Sequence, residues 1–413
     1  MTTARRFYFL AGLAFLLAAC GGGAPPQPPQ DLTLSGVSPD RPTVARGSSL
    51  TLTLTLASQN GFQGQVSLSV TENGQAPSWL TLSPTSATLN VPKGGTKEVT
   101  VQLSVGESAP IGVHNLTLTV SRGDSAVAEE GWTLGVYAAW RGSGIGFSDN
   151  IYDVLYSPER SLFIAVLEGG DILVNPDGER ENWVSKLSVT ADFFGVAEGG
   201  SAVVAVGQIG AGGKICTSSD STLASWSCLI PGTPPLRGVA HGNGRFVAVG
   251  NQGTILTSPD GVTWTQQTSG TPNRLNGVTY GNGTFVAVGE RGTILTSPDG
   301  VNWSLRSSET GSFLWDVAWG NGLFVAVGSS RTVLTSRDGV NWTRQDAGTG
   351  GDLFGVTHGA GFFVAVGHPI LLSLDGASWV EVPRPTSYAL YAVAYGNGRF
   401  VAVGSGGVVA LSP

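Results

Sequence analysis

Few side chains in this sequence have the type and spacing that catalysis or metal binding requires. The four histidines are far apart and show no metal-ligand spacing: His114, His241, His358 and His368. The glycine-rich stretch at 210–213 is not followed by a predicted helix, so it does not indicate a phosphate-binding loop. The sequence therefore predicts no metal, no cofactor and a non-enzymatic protein.

Two of the three cysteines could react with each other. Cys216 and Cys228 are twelve positions apart across a predicted hairpin, so their side chains can share one face of a sheet. A disulfide formed in an oxidising compartment is one interpretation. Two buried free thiols are the other.

The third cysteine, Cys20, ends an export signal. Residues 1–20 carry Arg5 and Arg6 before an apolar run at 7–17 that is too short to span a bilayer. The signal ends in Leu-Ala-Ala-Cys, which resembles the bacterial lipobox and implies that Cys20 receives lipid. An ordinary signal peptide with a chance cysteine is the alternative.

The residues that follow Cys20 predict a spacer. The stretch GGGAPPQPPQ at 21–30 cannot pack, and it would hold folded domains away from a membrane. We therefore expect an exported protein, anchored in the bacterial cell envelope on its periplasmic or cell-surface face, whose only membrane contact is the lipid on Cys20.

Composition excludes one class of partner. The net charge is −7 over 413 residues, and only four of the 22 basic residues are lysine. Such a surface argues against nucleic-acid binding. Hydrophobic residues make up 41% of the chain, which is enough for a large core.

An alternating pattern fills the first predicted domain, residues 31–136. Polar and apolar residues alternate at 50–56, 65–70, 87–91, 98–105 and 114–120, between turn residues. Seven or eight short strands in about 100 residues are typical of a β-sandwich. The domain resembles the Ig-like modules of exported bacterial proteins, which implies a role as spacer or low-specificity adhesin.

The remaining sequence, 137–413, consists of seven copies of one repeat. Units begin near residues 151, 193, 236, 275, 314, 353 and 390. A period near 40 residues with four short strands per unit predicts the blades of a β-propeller. We thus expect an all-β protein, with an Ig-like sandwich followed by a seven-bladed propeller.

The last unit, 390–413, lacks its fourth strand. The segment 137–150 matches that strand and places Trp140 in register, so it should close the ring and leave no open sheet edge. Tryptophan occupies the same place in every unit, which favours packing over a specific site: Trp140, Trp183, Trp226, Trp264, Trp303, Trp342 and Trp379.

The element S-x-D-G-x-x-W, as at 258–264, resembles the Asp-box of the bacterial neuraminidase repeat. The longer phrase VAVGxxGTILTSxDGxxW resembles the photosystem II assembly-factor family, which implies the propeller fold. We expect the propeller to act as a binding scaffold for a protein partner or for the assembly of an envelope complex. Resemblance to sialidases implies a glycosidase as a second alternative, with Arg237, Arg291, Arg331 and Tyr391 in its site.

Variable segments lie on one predicted rim. The second residue of each first strand should reach the mouth of the central channel there: Tyr152, Phe194, Arg237, Asn276, Trp315, Phe354 and Tyr391. Nearby polar candidates are Asp153, Asp316, Glu290, Arg291 and Arg331. An aromatic mouth could grip a partner peptide or, as an alternative function, stack on a sugar. Packing between blades is the structural alternative.

Overall fold

The computed structural model describes residues 32–412, except 40–41, 111, 124, 138–139, 145–147 and 349. The predicted signal peptide, Cys20 and the spacer lie outside the described residues. The secondary structure of these residues consists of 37 strands and six short 3-10 turns. The described part of the chain is therefore all-β, as the alternating patterns predict.

The first nine strands form two sheets around one core. They are β1 (Thr33–Ser38), β2 (Thr43–Ala45), β3 (Ser49–Ser58), β4 (Phe62–Glu72), β5 (Leu80–Ser83), β6 (Ser86–Val91), β7 (Gly95–Val105), β8 (Gly112–Arg122) and β9 (Ser125–Tyr137). The sheet orders are β1-β3-β7-β5 and β2-β9-β8-β4-β6. Alternate residues such as Leu54 on β3 and Leu118 on β8 meet in a single buried cluster. The polar residues between them face outward.

The rest of the described chain forms seven four-stranded sheets, numbered 1 to 7 along the chain. The first strand of this part of the chain, β10 (Arg141–Gly144), belongs to sheet 7. Sheet 1 contains β11 (Ile151–Ser157), β12 (Leu162–Leu167), β13 (Asp171–Asn175) and β14 (Val184–Ser188). Sheet 2 contains β15 (Asp192–Gly199), β16 (Ala202–Ile209), β17 (Gly212–Ser218) and β18 (Ser227–Leu229). Sheet 3 contains β19 (Leu236–Gly242), β20 (Arg245–Gly250), β21 (Ile255–Ser258) and β22 (Thr265–Gln267).

Sheet 4 contains β23 (Leu275–Gly281), β24 (Thr284–Gly289), β25 (Ile294–Ser297) and β26 (Ser304–Arg306). Sheet 5 contains β27 (Leu314–Gly320), β28 (Leu323–Gly328), β29 (Val333–Ser336) and β30 (Thr343–Gln345). Sheet 6 contains β31 (Leu353–Gly359), β32 (Phe362–Gly367), β33 (Ile370–Ser373) and β34 (Val380–Val382). Sheet 7 joins β35 (Leu390–Gly396), β36 (Arg399–Gly404) and β37 (Val408–Leu411) to β10. The 3-10 turns are Glu168–Gly170, Arg180–Asn182, Asn251–Gly253, Glu290–Gly292, Ser329–Arg331 and Ser405–Gly407.

The first strands of the seven sheets contact one another in a closed cycle, because β35 of sheet 7 packs beside β11 of sheet 1. This is the arrangement of a β-propeller. Sheet 7 is completed from upstream: Arg141 pairs with Leu411, and Gly144 pairs with Val408. Trp140 beside this strand is buried, 7% exposed, with its ring 6.3 Å from that of Phe400.

The apolar second strands form the core between sheets. On β20, Phe246 and Ala248 pack against residues of sheet 2, whereas Val247 and Val249 pack against residues of sheet 4. All four are at most 1% exposed. A strand buried on both faces explains why the Phe-Val-Ala-Val phrase contains no polar residue.

The S-x-D-G-x-x-W elements form turns between the third and fourth strands, as at 258–264. Asp260 Oδ1 accepts hydrogen bonds from the amides of Val262 and Thr263, at 2.9 and 2.8 Å. These amides hold the pKa of Asp260 below its ordinary value. The Trp264 indole N–H donates to the Gly261 carbonyl at 2.9 Å, which fixes the tryptophan over its own turn. The motif is therefore a structural device, and function must be sought elsewhere.

Cys216 and Cys228 form a disulfide in sheet 2, with 4.1 Å between their Cα atoms. They stand opposite each other on β17 and β18, as the shared parity requires. Cys216 is fully buried and Cys228 is exposed. The bond ties the outermost strand of this sheet to its neighbour.

Candidate functional site

Each first strand skips one residue in its pairing with the second strand. In sheet 1, Ile151 pairs with Leu167 and Asp153 pairs with Val166, so Tyr152 is left between them as a β-bulge. A bulge re-aims the side chain it frees. The same irregularity recurs in all seven sheets, and the skipped residues are the seven predicted mouth residues: Tyr152, Phe194, Arg237, Asn276, Trp315, Phe354 and Tyr391.

The seven bulged residues line one cavity of about 300 Å³, together with Arg274. A second cavity of about 130 Å³ shares these seven residues and adds Asp153, Asp316 and the backbone of the first strands. The smaller cavity thus continues the mouth into the channel. The structure brings together nine of the twelve predicted rim residues at this place.

Five aromatic side chains form an unbroken arc around the mouth. The order is Phe194, Tyr152, Tyr391, Phe354 and Trp315, with ring centroids 4.9, 5.6, 5.6 and 5.8 Å apart. We call these five residues the aromatic arc. Phe313 extends it outward, since its ring stacks on Trp315 at 5.9 Å and is 41% exposed.

Two arginines border the gap in the arc. The Arg237 guanidinium lies 4.2 Å from the centroid of Phe194, and Arg274 lies 5.5 Å from that of Trp315. Arg237 Nε donates to Asn251 Oδ1 at 3.2 Å. Burial and the positive charge of Arg274 lower the pKa of Arg237. This side of the mouth is therefore polar and positively charged.

The remaining predicted residues act less directly or lie elsewhere. Glu290 pairs with Arg274 at 3.2 Å and so reaches the mouth through that arginine. Arg291 is exposed on the rim. Arg331 lies away from the mouth, in a separate pocket with Arg344 and Asp346, where it pairs with Glu381.

Asp153 and Asp316 are held by the sheets that follow them. Asp153 accepts from the amides of Val154 and Val196, at 2.8 and 2.9 Å. Asp316 accepts from Val317 and Val356 at the same two distances. Burial raises the pKa of Asp153 to about 7, with Asp316 adding to the effect, and raises that of Asp316 to about 6.

Space for the bulge depends on the glycine that ends the second strand. A Cβ on Gly289 would lie 2.0 Å from the Arg274 carbonyl oxygen, a backbone atom that cannot swing aside. We predict that Gly289→Ala lowers the free energy of unfolding by about 3 kcal/mol, the upper part of the overpacking range. Thermal or denaturant unfolding measures the change. Gly311→Ala is the control, because no atom lies within 4 Å of its new Cβ. Equal stability of the two variants would contradict this account of the bulge.

Comparison with known proteins gives the fold. No protein-family model matches the chain, and no curated protein matches it. A solved structure of YCF48 from Cyanidioschyzon merolae matches with 19% identity and a TM-score of 0.53, over 67% of this chain and 98% of that one. YCF48 bound to D1 peptide matches with 18% identity and a TM-score of 0.54, over 67% and 96%.

The chain contains a β-propeller. A WD40 propeller domain of Doa1 matches at a similar level, with 13% identity and a TM-score of 0.54, over 67% of this chain and 97% of that one. Such likeness shows the fold alone. Within the described residues, no helix is long and apolar enough to cross a membrane, and no group of three His, Cys, Asp or Glu side chains could hold a metal ion.

Proposed function

We propose that this protein is a lipid-anchored scaffold of the bacterial cell envelope whose propeller binds a segment of a protein partner at the aromatic arc. In this proposal residues 1–20 are the lipoprotein signal, 21–30 the spacer, 31–136 an Ig-like sandwich and 137–413 a seven-bladed propeller closed by its N-terminal strand. The observation that carries the proposal is the repeated bulge, which directs five aromatic side chains at one open cavity.

Two further facts support a protein partner. Aromatic residues around a partly exposed cavity are typical of interface hot spots. A propeller of similar fold, YCF48, has been solved with a bound D1 peptide. The mouth of this chain is large enough to receive several side chains of an extended segment.

Crosslinking in the native envelope, followed by binding of the purified partner, tests this function. We expect Trp315→Ala combined with Phe354→Ala to weaken partner binding at least 30-fold, as loss of a hot spot of about 2 kcal/mol or more requires. Leu305→Ala, on an exposed outer strand, is the matched control and should bind normally. A partner that binds both variants equally would place its site outside the arc.

Carbohydrate binding is the second candidate, and the exposed Phe313–Trp315 stack favours it, because aromatic faces can stack on sugar rings. Saturable binding to a glycan array, lost in the Trp315→Ala variant, would support it. The geometry gives less support to a glycosidase. Among the described residues, the arginines that a sialidase-type site would need are dispersed, with Arg331 in its own pocket and Arg291 exposed.

Anchoring is tested at Cys20. We predict that Cys20→Ser moves the protein from the membrane fraction to the soluble fraction, or leaves an uncleaved precursor, because the variant lacks the thiol sulfur to which the lipid would be attached. Fractionation and the mass of the mature N-terminus measure the change. A fully processed variant that still sediments with membranes would show that the anchor lies elsewhere.

A further inference from the structure

The residue after the bulge in each first strand is the next position inward, and in five sheets it lines the smaller cavity below the arc. Glycine occupies this position in four sheets, because the next sheet approaches closely: a Cβ on Gly238 would lie 2.8 Å from the Asn276 carbonyl oxygen. Ala392 occupies it in sheet 7. Only sheets 1 and 5 place a charged group there, namely Asp153 and Asp316.

A role in joining neighbouring sheets does not explain why Asp153 and Asp316 occupy these two positions. Each bonds an amide of the following sheet, yet the other five sheets join their neighbours with glycine or alanine at the same place. Each of the four carboxylate oxygens accepts one amide, which leaves lone pairs for a further donor.

These carboxylates have no counter-cation in the described part of the chain. Arg237 lines the same cavity, but the charges that act on it are those of Arg274, Tyr152 and Asp192. Arg274 pairs with Glu290. Both carboxylates are surrounded by protein, which disfavours their charged form. A cation bound between them would stabilise that charged form.

We infer that the partner segment inserts a basic side chain through the aromatic arc, and that Asp153 and Asp316 receive its positive charge. The inference rests on the proposed function, because it names the partner chemistry of the same mouth. Aromatic faces attract cations, so the arc provides a favourable entrance. The inner cavity of about 130 Å³ suits the slim stem and compact ammonium group of lysine.

A library of random linear dodecapeptides tests the inference on the full-length protein. Peptides are selected on the wild-type chain, and those whose binding is lost in the Trp315→Ala and Phe354→Ala double variant are kept. We expect a lysine or arginine in most of them. Replacing that residue by norleucine should weaken binding at least tenfold on the wild type, but hardly at all on a variant with Asp153→Asn and Asp316→Asn.

The wild-type protein gives an independent readout if the double asparagine variant does not fold. Lysine stays charged throughout the neutral range. The affinity of a lysine-containing peptide should therefore rise about tenfold or more between pH 5.5 and 8, because Asp316 and Asp153, with pKa values of about 6 and 7, ionise in this range. The norleucine peptide should show no such rise.

Other ionisable groups surround the arc: Tyr152, Tyr391, Arg237, Arg274, Glu290, Asp192 and His368, whose ring lies 5.6 Å from that of Phe354. Histidine is the side-chain type that ordinarily changes charge near neutral pH. His368→Gln is therefore the control, and it should preserve the pH dependence. Arc-dependent peptides that lack a basic residue, or a pH-independent lysine peptide, would overturn the inference and leave the proposed function intact. The absence of any arc-dependent peptide would overturn both.

Discussion

A chain that begins at residue 151 should aggregate or melt far below a chain that begins at residue 136. The shorter chain lacks β10, so it leaves β37 as an open edge and removes the buried Trp140 from beside Phe400. Loss of one buried tryptophan alone costs about 3–5 kcal/mol. That is a large part of the roughly 5–15 kcal/mol that stabilises a domain.

Melting curves and size-exclusion profiles of the two chains decide this point. The chain from residue 136 retains the whole closing strand and is the matched control. Trp140→Ala in the full-length protein separates the side chain from the strand, and should lower stability by the tryptophan contribution only. Equal melting of the two truncated chains would mean that β10 does not close the ring.

Trp342→Ala should destabilise the propeller by about 3–5 kcal/mol. Trp342 is 8% exposed, packs between sheets 4 and 5, and donates its indole N–H to the Gly339 carbonyl at 2.8 Å. Denaturant unfolding measures the loss. A change below 1 kcal/mol would show that the repeated tryptophans are not part of the packing between sheets.

Sheet 1 offers a matched comparison for the hydrogen bond. Trp183 is equally buried, but its indole nitrogen has no partner among the described residues. Trp342→Phe should therefore cost about 1 kcal/mol more than Trp183→Phe, the net value of one hydrogen bond. Equal costs would assign the stabilisation to packing alone.

Sequence periodicity predicts most of the strands, because alternation and turn chemistry are local. The segments 98–105 and 114–120 fall inside the observed β7 and β8, and Asn243-Gly244 adopts the positive φ values of 46° and 71° that its hairpin turn needs. The parallel strand β2 was not predicted. It is three residues long and pairs with β9, far away in sequence, so no local pattern marks it.

The mouth residues could be predicted from their place in the repeat, but the bulge that aims them could not. The skipped residues are as different as Tyr152, Arg237 and Asn276, so no residue type marks the point at which the pairing shifts. Arg274 and Phe313 were missed because they lie in the variable segments before the first strands. Arg331 has a partner on an outer strand, Glu381, and this long-range contact holds it away from the mouth.

The closing strand also determines where mechanical force would enter the propeller. Trp140 immediately precedes β10 in the sequence, so tension applied at the N-terminus would load the four residue pairs that join β10 to β37. That seam lies between the two ends of the propeller sequence. Close packing of Gly135 against Phe362 and Leu374 would share the load before it reached the seam. If the protein were held to a membrane at one end and to a partner at the other, the force between them would act on the β10–β37 pairing that closes the ring.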